Sequence, residues 1–211
     1  MNMNPKLLLC LAFVLSGYCD AAIVYPKAPD GGQQLVHEFV GPLLRGHPDA
    51  GVSVRGLQIE DLIIADPSRW YGAGATDLAS GRMLSAAKSS SWRYPLIYGT
   101  NAVGVAQLIA DEKTGKALKC IALDQGDNSR EALRTAEQLP QIKKQDYELR
   151  YLDVPAVLFQ AIWLHGKSDD IIIPFPDKWK RWNCQPYSER QIIKLLKPEA
   201  KKKLNEPKLF D

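Results

Sequence analysis

His165 is followed one turn later by two acids, in the run His165-Gly166-Lys167-Ser168-Asp169-Asp170. A carboxylate beside an imidazole fixes the ring's tautomer and leaves the other nitrogen to move a proton, which is the minimum of an acid/base site. A hydrolase working through His165 with Asp169 or Asp170 is therefore one reading of the chain. The plainer reading of the same residues is a turn histidine beside two solvated acids. His37 and His47 lie far off in the sequence and no His-Glu-x-x-His spacing occurs, so no metal site is expected. Glu60, Asp61 and Asp66 sit near a strand end and read as a solvated rim unless their surroundings separate their pKa values. Lys88 with Ser89-Ser90-Ser91 matches neither a Gly-x-Ser-x-Gly elbow nor a Ser-x-x-Lys pair, and reads as a polar entry into the next strand. Gly72-Ala73-Gly74 lacks the further glycine and the strand-to-helix setting of a dinucleotide fingerprint, and no phosphate-loop ending follows it. No cofactor is expected.

The other chemistry on offer is recognition. Arg69, Trp70 and Tyr71 are of the types enriched in binding hot spots. They fall in residues 66–83 among Gly72, Gly74 and Gly81, a stretch that reads as a long surface loop. Near the C-terminus Trp179, Lys180, Arg181, Trp182 and Tyr187 interleave rings and cations around Cys184. Such a segment suits nucleic acid, through stacking and phosphate contacts, or an anionic membrane or glycan surface. A cysteine among the rings favours a docked segment whose lysines keep the end soluble, with contact to an anionic surface as a secondary role.

Residues 1–21 have the layout of a secretory signal peptide: Lys6, an apolar run over 7–15, then small and polar residues before Ala21 and Ala22. The apolar run is too short to span a bilayer, and Tyr18 before Cys19 disfavours lipid attachment. The expected location is periplasmic or secreted, which removes nucleic acid as a partner. Cleavage takes Cys10 and Cys19 with the leader and leaves Cys120 and Cys184, an even pair in an oxidising compartment. They are expected to form a disulfide closing a loop of about 65 residues, worth roughly 4 kcal/mol in chain-entropy terms.

The elements that position these residues follow from period and punctuation. Residues 102–110 (AVGVAQLIA) and 117–123 (ALKCIAL) are apolar runs of strand length joined by a polar turn with Gly115, which predicts a hairpin. Asn128 and Glu131 have capping-box spacing for a helix bearing Ala132, Leu133, Ala136 and Leu139 and stopped by Pro140. Residues 147–151 alternate as a strand with one wet face, 156–164 (AVLFQAIWL) are apolar on both faces except Gln160, and 171–175 with Pro174 read as an edge. Upstream, Leu35, Val36, Phe39, Val40, Leu43 and Leu44 mark one face of a helix, 52–65 offer one or two strands, and Trp92, Tyr94, Leu96 and Tyr98 alternate. Ser188 with Gln191 predicts a short final helix that breaks at Pro198.

The chain carries 27 Lys and Arg against 24 Asp and Glu, but the cations concentrate in 178–211. With 45% hydrophobic and 24% charged residues a disordered class is excluded. The expectation is a single α+β domain over 22–211. It has a mostly antiparallel sheet of about five to seven strands, helices packed on one face and one disulfide docking the basic segment 178–211. The function expected is an exported, non-enzymatic protein-binding or inhibitory domain acting through Arg69, Trp70 and Tyr71 on the aromatic loop, or through a sheet edge. Its partner is expected to be another protein. The alternative is the secreted hydrolase with the His/Asp site.

Overall fold

The computed structural model describes residues 22–46, 57–125, 129–176 and 181–206. The signal-peptide stretch, the Asn128 cap, His47 and Trp179 lie outside them. In chain order the elements are β1 (Ile23–Val24), α1 (Gly32–Gly46), β2 (Leu62–Ile64), β3 (Ser68–Gly72), α2 (Ala75–Ser80), α3 (Met83–Ala86) and β4 (Lys88–Tyr98). There follow β5 (Asn101–Ala110), β6 (Ala117–Gln125), α4 (Arg130–Glu137), β7 (Tyr147–Val154), β8 (Phe159–Gly166), β9 (Asp170–Pro174) and α5 (Glu189–Asn205).

Local chemistry builds two antiparallel meanders. In the first, β4, β5 and β6 pair in succession. The β5–β6 turn is closed as its residues require: Asp111 Oδ1 accepts from the Lys113 and Thr114 N–H groups, both at 2.8 Å, and Gly115 takes a positive φ of 70°. Those two backbone donors hold the Asp111 carboxyl below the usual range. In the second meander β7, β8 and β9 pair antiparallel. One short strand, β3, joins the two halves: it runs antiparallel to β4 and parallel to β7. The order is β6-β5-β4-β3-β7-β8-β9, with β2 on β4 and β1 parallel on β7, so the nine-stranded sheet is mixed although mostly antiparallel. That exceeds the strand number expected, because β1 is too short to show a period and β3 lies inside the stretch read as a loop; β2 falls within 52–65, where one or two strands were expected. Residues 68–72 are a strand in the interior of the sheet, with Pro67 and Gly74 marking its ends.

Helices cover both faces, where one was expected. On the front face α1 lays Val36, Val40 and Leu44 over Trp92, Tyr94, Leu96 and Leu108. Further along the same face α2, α3 and α5 cover Leu152, Ala161, Trp163 and Ile172. On the back face α4 buries Ala132 and Ala136 against Leu149, Ile162, Leu164, Ile171 and Ile173. Successive residues of β9 thus go to opposite cores. A strand apolar on both sides, as 156–164 read, has to be covered on both. The part of the back face lined by Trp70, Ser91, Gln107 and Asp124 carries no helix among the described residues.

The expected disulfide is not formed: Cys120 and Cys184 are both free. The sheet order explains it. Cys120 lies on β6 at one end, whereas the Cys184 segment docks beside β9 at the other, through mutual backbone bonds of 2.8 Å between Ile172 and Tyr187. The seven strands of that order span roughly 29 Å side by side, several times the reach of a disulfide. The C-terminal segment docks by packing instead: Trp182 is buried edge-to-face on Phe159 at 5.2 Å, and Cys184 is 2% exposed. The Ser188 and Gln191 capping box is present. The helix it starts does not break at Pro198 but runs on to Asn205, because Ile192, Leu196 and Ala200 keep one stripe buried.

Two expectations follow. Denatured without reductant, the chain over 22–211 titrates two thiols with a thiol reagent, and a single reagent-resistant pair would contradict the structure. The second concerns Tyr94, fully buried, with a hydroxyl that has no hydrogen-bond partner and that a Cβ at Gly32 would approach to 1.9 Å. Burial pushes its phenol up to about 12 from 10.0, and the Cys120 thiol to about 11 from 9.0. Each group keeps its proton in the folded chain after the unfolded chain has lost it, so stability falls as pH rises from 9 toward 12. Tyr94→Phe removes an unsatisfied hydroxyl and leaves neutral-pH stability equal or up to about 1 kcal/mol higher. In urea unfolding at several pH values it abolishes the part of the decline between 10 and 12, while the Cys120 part remains.

Candidate functional site

The register of β3 divides the three residues expected to act together. Arg69 pairs across to Trp92 and Arg150, and Tyr71 to Leu152, all on the front face; Trp70 pairs to Ser91 and Tyr151 on the back. On the front, the Arg69 guanidinium lies 4.8 Å over Trp92. Arg150 lies 4.9 Å over Tyr71 and 4.7 Å over Trp163 while pairing with Glu148 at 2.9 and 3.1 Å. Strand β7 therefore has no wet face, since Glu148 and Arg150 are half-buried in this stack. Arg69 and Tyr71 are half-buried and held in these stacks on a strand, not on a loop, and Arg69 also lines an open pocket with Lys27, Asp30, Ser89 and Trp92.

The histidine expectation has a definite geometry. Asp170 Oδ1 accepts from His165 Nδ1 at 2.7 Å and from Trp163 Nε1 at 2.7 Å, and the imidazole meets the Trp163 ring edge-to-face at 5.4 Å. An acceptor at Nδ1 fixes the Nδ1–H tautomer and leaves Nε2 as the nitrogen able to take a proton. No described residue bonds Nε2. Asp169 is not part of this pair. It accepts from the Tyr147 hydroxyl at 2.7 Å and from the Gln145 amide, and ties down the β8–β9 turn. Burial, with that bond to Asp169 second, pushes the Tyr147 phenol above its ordinary range. Among the described residues no cluster of His, Cys, Asp and Glu could hold a metal ion.

The back face gathers residues that the sequence kept far apart. Trp70, Ser91, Gln107, Asp124, Asp153 and Gln160 line an open trough of about 480 Å³, with Ile121, 44% exposed, at its rim. Two carboxylate–amide pairs stand in it. Gln107 Nε2 donates to Asp124 Oδ2 at 2.5 Å, and Gln160 lies directly across the β7–β8 ladder from Asp153. Burial raises the Asp153 pKa despite the neighbouring Gln160 amide and the charge of Arg93. Beneath the trough Arg93, 6% exposed, is held 4.3 Å over Trp70 and 4.6 Å over Tyr151, with Nε making no hydrogen bond. Tyr151 in turn shares a 3.0 Å hydroxyl bond with Ser129. Sequence reasoning missed Arg93, Gln107, Asp124 and Asp153 as site residues. One signal was present: Gln107 and Gln160 each interrupt an otherwise apolar strand.

The two sheet edges are poor docking rails. Edge β9 is bridged by Tyr187. Edge β6 has register shifts opposite Gln107/Leu108 and Ile109/Ala110 and carries Lys119, devices that turn an edge away from a partner strand. A second cleft of about 340 Å³ lies where β1 and β2 part, walled by Tyr25, Pro95, Ile97, Leu133 and Leu149. In the basic segment Trp182 is packed inward, so an anionic surface would meet lysines without that ring.

Removing the shared acceptor tests the His165 geometry. Asp170→Asn moves the Trp163 indole N–H resonance, shifts the His165 ring toward a mixture of tautomers in nitrogen NMR, and costs about 1 kcal/mol of stability. Unchanged resonances would mean that neither bond persists in solution. Compared with known proteins, the chain matches no family model, no curated relative and no solved structure.

Proposed function

We propose that this chain is a non-catalytic binding protein, exported by residues 1–21, that recognises its partner on the open back face of the sheet. The observation that carries the reading is the convergence of Trp70 with two carboxylate–amide pairs in one trough that no described helix covers. A ring fixed from below and a Gln107–Asp124 pair fixed by its own hydrogen bond lose little freedom on binding, which favours recognition. Of the residues expected to bind, Trp70 keeps that role, while Arg69 and Tyr71 support the strand that presents it. The bulged β6 edge makes the open face a better surface than the sheet edge.

The hydrolase reading draws support from the 2.7 Å bond between His165 and Asp170, now without Asp169. It is the weaker of the two because Nε2 meets no hydroxyl or thiol of the described residues that it could activate. The front-face pair and the back-face trough are separately mutable, so one comparison decides. Capture from the source-cell envelope and culture medium is run with wild type, Gln107→Ala/Asp124→Ala and His165→Ala. The expected outcome is a retained ligand whose binding falls at least about tenfold in the trough variant and is unchanged in His165→Ala. Loss in neither variant, with a hydrolytic activity that disappears in His165→Ala, would reverse the ranking.

A further inference from the structure

Resting on the binding reading above, we infer that the back-face trough takes a neutral glycan, a chain of pyranose rings lying across the strands. A pyranose offers two things at once: hydroxyls that each donate and accept, and an apolar face of C–H groups. Its complement is a fixed aromatic ring flanked by planar side chains that carry donors and acceptors together. Trp70 supplies the ring. The guanidinium of Arg93 holds it from one side at 4.3 Å, and Ser90 Oγ donates to the Trp70 main-chain carbonyl at 3.3 Å, so the stack sets the ring and the bond steadies the strand that carries it.

The polar groups fit hydroxyls better than they fit ions or a protein. With Gln107 Nε2 donating to Asp124 Oδ2, the pair keeps one amide N–H, the amide oxygen and a second carboxylate oxygen for a ligand. The Asp153 and Gln160 pair keeps a similar set on the other side of Trp70. Donors and acceptors side by side satisfy neighbouring hydroxyls of one ring. No lysine or arginine lines the trough, and its two carboxylates repel phosphate, sulfate and nucleic acid. The guanidinium of Arg93 is sandwiched beneath, not presented. A protein partner would ask for an apolar centre, whereas only Trp70 and Ile121 here are apolar.

The shape indicates a chain of rings. The lining residues come from six neighbouring strands, from β8 through β7, β3, β4 and β5 to β6, which cover roughly 24 Å side by side. Affinity should therefore grow with the number of rings, since a single ring reaches only one of the two carboxylate–amide pairs.

The test is calorimetric titration of the chain over 22–211 with neutral β-glucan, α-glucan and chitin fragments, from di- to hexasaccharide. An anionic polygalacturonate fragment and an unstructured neutral peptide are the controls. The expected result is binding of at least one neutral series that tightens with length, with the controls silent. Gln107→Ala and Gln160→Ala, on opposite sides of Trp70 and neither of them a ring or cation of the Arg93 stack, each weaken it about tenfold; because Gln107 stands across the ladder from Arg93, an unchanged 4.3 Å stack is checked by the Trp70 fluorescence of that variant. Trp70→Phe weakens binding further; Trp70→Ala is avoided because it would unseat Arg93. If no neutral series binds, or if the anionic fragment or the peptide binds instead, the glycan inference is overturned. The wider reading then still stands when the captured ligand depends on Gln107 and Asp124, and fails with it when nothing depends on them.

Discussion

The sheet is two meanders held together at one five-residue strand, and stacked guanidinium groups cross that seam on both faces. On the back, Arg93 of β4 spans Trp70 of β3 and Tyr151 of β7. On the front, Arg69 of β3 reaches back to Trp92 of β4, and Arg150 of β7 covers Tyr71 of β3 and Trp163 of β8. A cation over a ring is worth about 2 kcal/mol when desolvated, and three such residues knit four strands. Only Arg150 adds a carboxylate, the half-buried Glu148, to its stack; Arg69 and Arg93 have rings as their partners across the seam. The stacking also explains why Arg69, Trp70 and Tyr71 stand together in the sequence: the alternation of a strand sends them into two different stacks.

Those stacks set what each face can do. The front is filled by helices and by the Arg150 and Glu148 pair, and His165, with Nε2 unbonded among the described residues, lies at its margin. The back is half covered by α4 and half open, and the open half inherits a rigid floor from the seam below it. Rigidity and exposure coincide there because the arginine is spent on structure, leaving the carboxylates and amides above it to face outward.

How much of this was legible follows from sequence distance. The β5–β6 hairpin, the helix ended near Pro140, the β7–β9 meander and the Ser188 cap each depend on residues within one or two turns, and all were readable. The His165 and Asp170 bond joins neighbours five positions apart, so the pair was visible, though the choice between Asp169 and Asp170 required coordinates. Strand β3 was hidden by the glycines and proline that end it, since a five-residue strand has too few positions to display a period. The disulfide expectation rests on compartment, and compartment says nothing of the distance between Cys120 and Cys184. The trough draws on positions 70, 91, 107, 124, 153 and 160, which no local pattern connects; only its two glutamines broke the apolar runs around them.

The seam also divides the chain in time. The strands within each meander pair with near neighbours, and such contacts close small loops at small entropic cost. Arg69 and Arg150, by contrast, are 81 positions apart, and Ile23 and Tyr147 are 124 apart. The parallel pairings of β3 and β1 with β7 therefore form against a much larger loop-closure entropy than the pairings within either meander. The meanders are able to assemble separately, and the arginine stacks complete only when the halves meet. The open trough, which straddles that junction, exists only in the chain that has finished folding.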